Sequence, residues 1–259
     1  MLCKMSVLAF DIGNTSITSG VFKKNKLVKL WRMPSDTALN KDAYLKDIKK
    51  NLGAMNFDNI SGIVISSVVP KLDKKFVRIS NKLFKKNPLF ANSRNCGINI
   101  LYKKPDQVGA DRLVNAVAGY KLFGGPLIII DFGTAITFDC INKKGDYLGG
   151  LIIPGIGLSA KALNVFTAKL PLIENLEGKP KNLIGETTQE SIKSGIYYGY
   201  TGLVQHISEM LKKKLKCDRI ILTGGQAGIL AKELKFKIVP ELTLLGLKYI
   251  WEKNRRRGN

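Results

Sequence analysis

Val7-Leu8-Ala9-Phe10-Asp11-Ile12-Gly13-Asn14-Thr15 and Leu127-Ile128-Ile129-Ile130-Asp131-Phe132-Gly133-Thr134-Ala135 are two copies of one device. Each is a run of apolar, β-favouring residues that ends in Asp, followed by Gly and small hydroxyl or amide residues. More β-type sequence follows each copy, over 16–22 and 136–141, which predicts a hairpin with Asp-x-Gly at its bend. Glycine has no Cβ, so the backbone N–H groups of such a bend can approach a phosphate while the carboxylate serves a metal ion. A single Asp-x-Gly-x-Thr is ordinary turn chemistry. Two copies separated by close to half the chain, each after a buried-type strand, point to a duplicated phosphate-handling hairpin.

Outward from these hairpins, strands are predicted over 7–10, 18–22 and 26–32, a helix over 41–51, a strand over 62–67 and a helix over 71–84. Leu72, Phe76, Ile79 and Leu83 share one face of that last helix. The second half repeats the plan with strands over 127–130, 136–141 and 147–153, helices over 157–166 and 188–214, and a strand over 219–222. Thr223-Gly224-Gly225 closes that strand, and a final helix is expected over 243–253 with Leu244, Leu247 and Trp251 spaced for burial. Strands followed by helices, twice, predict two mixed α/β domains, 1–119 and 120–259. Without a low-complexity linker the halves are expected to pack closely, with a cleft between them.

The chain has 259 residues, 45% of them apolar and 24% charged, in the range of a globular enzyme. Its charge is unusual, with 42 Lys plus Arg against 20 Asp plus Glu, a net +22. The lysines are scattered and no aromatic-interleaved platform accompanies them, so solvated faces explain the excess and nucleic acid is not an expected partner. The densest cluster, Arg255-Arg256-Arg257, falls in the tail. Cys3, Cys96, Cys140 and Cys217 lie far apart and His206 is the single histidine, which excludes a Cys/His zinc set and suggests a reducing compartment. His206 reads as structural. Nothing approaches a membrane-spanning apolar run, and the segment 1–10 is short for a signal peptide and is stopped by Asp11. A cytoplasmic protein with no membrane partner is the expectation.

A third motif, Gly109-Ala110-Asp111-Arg112-Leu113-Val114-Asn115, precedes the second hairpin. A helix is predicted from about 110 to 123, ended by Gly124-Gly125. Asp111 falls in its first turn, where the dipole favours the ionised form, and Asn115 lies on the same face. Arg112 can grip a carboxylate with its planar fork while Asp111 accepts a hydroxyl proton, a pair suited to a hydroxy-acid substrate. Phosphoryl transfer needs little beyond positioning, charge neutralisation and an oriented nucleophile. The chain has no G-x-x-x-x-G-K-[ST] segment, and Gly155-Ile156-Gly157 lacks the third glycine of a dinucleotide fingerprint. Asp131-Phe132-Gly133 has no protein-kinase catalytic loop before it.

In order, these segments resemble the type III pantothenate kinases of the acetate and sugar kinase/Hsp70/actin superfamily. The matching stretches are Asp11-Ile12-Gly13-Asn14-Thr15, Gly109-Ala110-Asp111-Arg112 with Asn115, and Asp131-Phe132-Gly133-Thr134 with Thr137-Phe138-Asp139. They continue through Gly149-Gly150-Leu151-Ile152-Ile153-Pro154-Gly155, Thr167-Ala168-Lys169-Leu170-Pro171, Thr188 to Ser194-Gly195, Thr223-Gly224-Gly225 and Leu242-Thr243-Leu244-Leu245-Gly246-Leu247. Ile136 departs from the Thr that many members carry, and a few residues precede the usual start.

The resemblance implies two duplicated RNase H-like/actin-like domains with mixed sheets and flanking helices, holding a nucleotide cleft between them. It implies transfer of phosphate from ATP to pantothenate, the first step of coenzyme A synthesis. Carried over by motif, Asp11, Ile12, Gly13, Asn14, Thr15, Ser16, Ile17 and Thr18 cradle the ATP phosphates and Thr134 contacts them from the second hairpin. Asp131 becomes the ligand of a monovalent cation, K+ or NH4+, and Mg2+ is expected near Asp11, held indirectly. Asp111 becomes the base on the substrate hydroxyl. Tyr102, Gly109, Ala110, Asp111, Arg112 and Thr188 become the pantothenate contacts, with Thr188 chosen over Thr187 by its spacing to Gly195. A homodimer is implied as well. The competing readings are a kinase of this fold acting on another small hydroxy acid or sugar, and a non-catalytic nucleic-acid-binding or regulatory relative.

Overall fold

The computed structural model describes residues 6–55 and 57–256; Cys3, Arg257 and the first residues of the segment 1–10 lie outside them. The first half opens with an antiparallel meander, β1 (Ser6–Ile12), β2 (Ser16–Lys23) and β3 (Lys26–Pro34). Helix α1 (Lys41–Leu52) then leads to β4 (Ile60–Ser67), and α2 (Pro70–Phe84) to β5 (Leu89–Phe90). Strands β4 and β5 extend the sheet in parallel on the other side of β1, giving the order β3-β2-β1-β4-β5.

After α3 (Ala110–Phe123) the plan is repeated by β6 (Leu127–Phe132), β7 (Ala135–Ile141), β8 (Tyr147–Pro154), α4 (Ile156–Val165) and α5 (Thr188–Leu215). It is completed by β9 (Ile220–Thr223), α6 (Ala227–Leu234) and β10 (Lys237–Ile238). The second sheet, β8-β7-β6-β9-β10, matches the first strand for strand, with the hairpin antiparallel and the far side parallel. The duplication read from two Asp-x-Gly bends is therefore a duplication of whole sheets.

Each sheet buries one face under its own helices. Phe10, Ile12, Ile17, Ile63 and Ile65 form a core with Ile48 of α1 and Phe76 of α2. Ile128, Ile130, Phe132 and Phe138 do the same with Ile196 and Val204 of α5 and Leu230 of α6. Because side chains alternate across a strand, Asp11 and Asp131 fall on the opposite face from these cores.

The chain divides into two compact units, Met1–Lys121 with Glu241–Asn259, and Leu122–Pro240. The last helix, α7 (Leu242–Arg255), falls in the first unit. It packs on β1, β4 and β2, over the face that carries Asp11. Small residues make room for it. A Cβ on Gly62 of β4 would run into the Trp251 indole, and one on Gly20 of β2 would fall 2.8 Å from Leu244 Cδ1. Gly246 of α7 lies against the α3 backbone at Val114. The apolar spacing of α7 signalled burial without saying against which sheet. Elements 227–234, 89–90 and 237–238 were not foreseen; the two strands are too short to show a period.

Gly62→Ala should lower stability by about 1–3 kcal/mol, the usual cost of forcing a methyl into a filled space, read as a drop in denaturation midpoint with little change in slope.

Candidate active site

In the first unit the hairpin places Asp11 at the carboxyl end of β1, in register with Thr18 on β2 and Ser66 on β4. The Gly13 N–H donates to the Ser16 carbonyl at 3.1 Å and closes the bend. Asn14, Thr15 and Ser16 are exposed, whereas the Ile12 and Ile17 side chains are fully buried in the core. Of the eight residues expected to cradle phosphate, those two can offer only backbone. The Val68 N–H donates to the Ile12 carbonyl at 3.0 Å, so the chain leaving β4 is tied to the same end of the sheet.

Asp111 comes to that end as well. It lies in the first turn of α3, and its Oδ1 accepts the Arg112 N–H at 2.8 Å. The carboxylate leans over Gly109, where a Cβ would sit 2.5 Å from Oδ1 and 3.8 Å from Val68 Cγ1. Glycine at 109 is what leaves room for the acid. The structure corrects one expectation here. Asp111 was to be a low-pKa carboxylate, but burial pushes its pKa up, outweighing the backbone N–H and the Arg112 guanidinium that favour the charge. The dipole is a surface-scale effect and desolvation is larger. Arg112 is itself buried, 7% exposed. Asn115, expected beside Asp111, is wholly buried and accepts the Thr243 hydroxyl at 2.8 Å, which fastens α3 to α7. Tyr102 is exposed in the loop before α3.

In the second unit Asp131 ends β6 in register with Thr137 on β7 and Thr223 on β9. Its bend is one residue shorter, with the Gly133 N–H donating to the Ala135 carbonyl at 3.1 Å. Thr134 is exposed at the tip, and its carbonyl accepts the Gly155 N–H at 3.0 Å. Gly224, at φ +91°, lies against the Asp131 carboxylate and the Phe132 backbone, leaving no room for a Cβ. Ile136 is buried on the core face, away from Asp131. Thr187 is the N-cap of α5: its Oγ1 accepts the Glu190 N–H at 3.2 Å while the Glu190 carboxylate accepts the Thr187 N–H, also at 3.2 Å. That leaves Thr188, exposed in the first turn, as the threonine not used for capping. His206 is exposed on α5.

Three polar residues beside the hairpins were given no role from sequence: Ser66, Thr223 and Asp139. Strand register, which sets Ser66 beside Asp11 and Thr223 beside Asp131, is a non-local property. Among the described residues no three His, Cys, Asp or Glu side chains cluster as a metal site.

The two matching sheets with acid-tipped hairpins define a fold of the actin, sugar-kinase and Hsp70 type. One similar solved structure is MreB 5 of Spiroplasma citri bound to AMPPNP, with TM-score 0.55 and 12% identity, covering 98% of this chain and 99% of that one. Another is a protein of Campylobacter jejuni described as a Baf-family transcriptional activator, with TM-score 0.61 and 23% identity over 96% and 99% of the two chains. The sequence pattern of the family described as type III pantothenate kinase matches residues 7–210. A type III pantothenate kinase of Bacillus cytotoxicus is 44% identical over 254 residues, 96% of each chain. This chain belongs to the type III pantothenate kinase family.

The raised pKa of Asp111 has a consequence for stability. The folded state binds this proton more tightly than the unfolded chain, whose carboxyl titrates at about 3.9. Stability is therefore lost as pH rises from that value through the folded pKa. Asp111→Asn, a neutral mimic, should raise the melting temperature near pH 7 and leave it almost unchanged near pH 3, checked by thermal denaturation at the two pH values.

Proposed function

We propose that this chain transfers the γ-phosphoryl group of ATP to the hydroxyl of pantothenate, giving ADP and 4′-phosphopantothenate, the first step of coenzyme A synthesis. The observation that carries the reading is the half-buried Asp111 next to the buried Arg112, beside the Asp11 hairpin, in a chain of this family. The substrate hydroxyl oxygen attacks the γ-phosphorus, the bond to the bridging oxygen of ADP breaks, and the hydroxyl proton passes to the Asp111 carboxylate. A carboxyl lifted above its usual pKa is a better proton acceptor, and a largely dissociative transition state asks little more of a base.

The buried Arg112 pairs with the pantothenate carboxylate, with Tyr102, Gly109 and Ala110 as further contacts carried by the first unit; in the second unit, Thr188 is the contact. In the first unit the backbone of Asp11–Thr18, with the exposed Asn14, Thr15 and Ser16, contacts ATP phosphates; in the second unit the exposed Thr134 is the phosphate contact. Magnesium, carried with ATP and reached indirectly from Asp11, and a monovalent cation, K+ or NH4+, at Asp131 offset phosphate charge when bound. No helix of the described residues is long and apolar enough to cross a membrane, and Cys96, Cys140 and Cys217 form no disulfide, which supports a cytoplasmic setting.

A homodimer fits the surface of the second unit. The edge strand β8 and the end of α4 expose Ile152 at 61%, Val165 at 59% and Phe166 at 84%, apolar side chains that a second copy would cover.

Asp111→Asn should cut pantothenate-dependent ADP release by about 100-fold or more while ATP binding persists. Near-normal turnover would remove Asp111 from the mechanism. Arg112→Lys should raise the KM for pantothenate about tenfold or more, since an ammonium cannot reproduce the fork. Ile152→Asp should shift the mass in solution from dimer to single chain, read by light scattering.

A further inference from the structure

The two hairpins share a plan but differ in the residues that stand around the acid. Thr18, opposite Asp11, is followed two residues later on the same face by Gly20. Thr137, opposite Asp131, is followed at the equivalent place by Asp139. Asp139 is fully buried, 0% exposed. Its Oδ2 accepts the Thr137 hydroxyl at 3.0 Å and its Oδ1 accepts the Tyr147 hydroxyl at 2.7 Å.

A hydroxyl that donates its only proton to a buried carboxylate has lone pairs left to present, and lone pairs suit a cation rather than a phosphate. On the other side of Asp131, in register on β9, stands Thr223, 1% exposed, whose Oγ1 is buried without a hydrogen-bond partner. Burying such a hydroxyl is costly unless something completes it. Three adjacent strands thus bring a carboxylate and two hydroxyl oxygens to one level of one face.

We propose that Thr137 and Thr223 are direct oxygen ligands of the monovalent cation at Asp131, and that Asp139 is a positioning residue that turns the Thr137 lone pairs toward it. This rests on the assignment of Asp131 to that cation. One carboxylate with neutral hydroxyls offers too little charge for a divalent ion but matches a large, weakly hydrated monovalent one. The Gly20 side of the first sheet lacks the second acid, so the same hairpin plan serves phosphate there and a cation here. Asp139 touches neither ATP nor pantothenate in this assignment.

The test is Thr223→Val in the full chain, isosteric and without the hydroxyl, with Asp139→Asn beside it. Two readouts are taken with potassium against sodium: the potassium-induced rise in melting temperature with an ATP analogue and no pantothenate, and the potassium concentration for half-maximal turnover. In Thr223→Val the potassium-induced rise should be lost and half-saturation should move up tenfold or more, with the melting temperature in sodium unchanged or higher. Removing a merely unsatisfied hydroxyl would leave the potassium response intact, and half-saturation within twofold of the parent overturns the proposal. Asp139→Asn should act in the same direction; if it does not fold, Thr223→Val decides alone. A parent protein active on pantothenate but indifferent to potassium over sodium overturns this inference and leaves the kinase reading standing. A potassium-specific thermal shift without pantothenate turnover does the reverse.

Discussion

Taking a carboxylate out of water is unfavourable unless donors or cations replace the lost hydration, and this constraint explains most of what is unusual in the two units. Asp139 is fully buried, while Asp111, in the first turn of α3, and Asp11 and Asp131, at the carboxyl ends of the central strands, are half-buried. Each local solution depends on a neighbour that yields space or a proton. Gly109 admits the Asp111 carboxylate and Gly224 admits that of Asp131. Tyr147 and Thr137 donate to Asp139. Side chains at 109 or 224 would push the acids out toward water and remove the reason for burying them.

The repeated sheet turns this constraint into a pair of sites. In each unit the strand bearing the acid is central, buried on its core face, and flanked in register by a hydroxyl on both sides. Divergence between the copies then lies in a few positions: a bend one residue shorter in the second, Asp139 in place of Gly20, and Thr223 in place of Ser66. Duplication supplied the frame, and small substitutions set which polar groups stand beside each acid.

Much of this was legible in the chain. The apolar runs ending in Asp-x-Gly are local signals, and so is the amphipathic spacing of α2, so strands and helices fall close to where the sequence places them. The N-cap at Thr187 with Glu190 three residues on is equally local, and it separates the capping threonine from Thr188. What escaped is non-local. The apolar stripe of α7 does not say that Gly62 and Gly20 lie under it. Ser66 and Thr223 carry no assigned role until register sets them beside the acids. The raised pKa of Asp111 runs opposite to the dipole argument, because desolvation comes from what packs around the first turn of α3, including Val68 at the end of β4.

The most direct measurement is to follow the phosphorus of the reaction mixture, with ATP, magnesium and potassium, in the presence and absence of pantothenate. A phosphomonoester resonance should appear only with pantothenate, in equal amount to the ADP formed, and it should be absent when an unrelated hydroxy acid or a sugar takes its place. ADP formed without a phosphomonoester, or a phosphomonoester formed equally well on the other acceptors, would contradict the assignment.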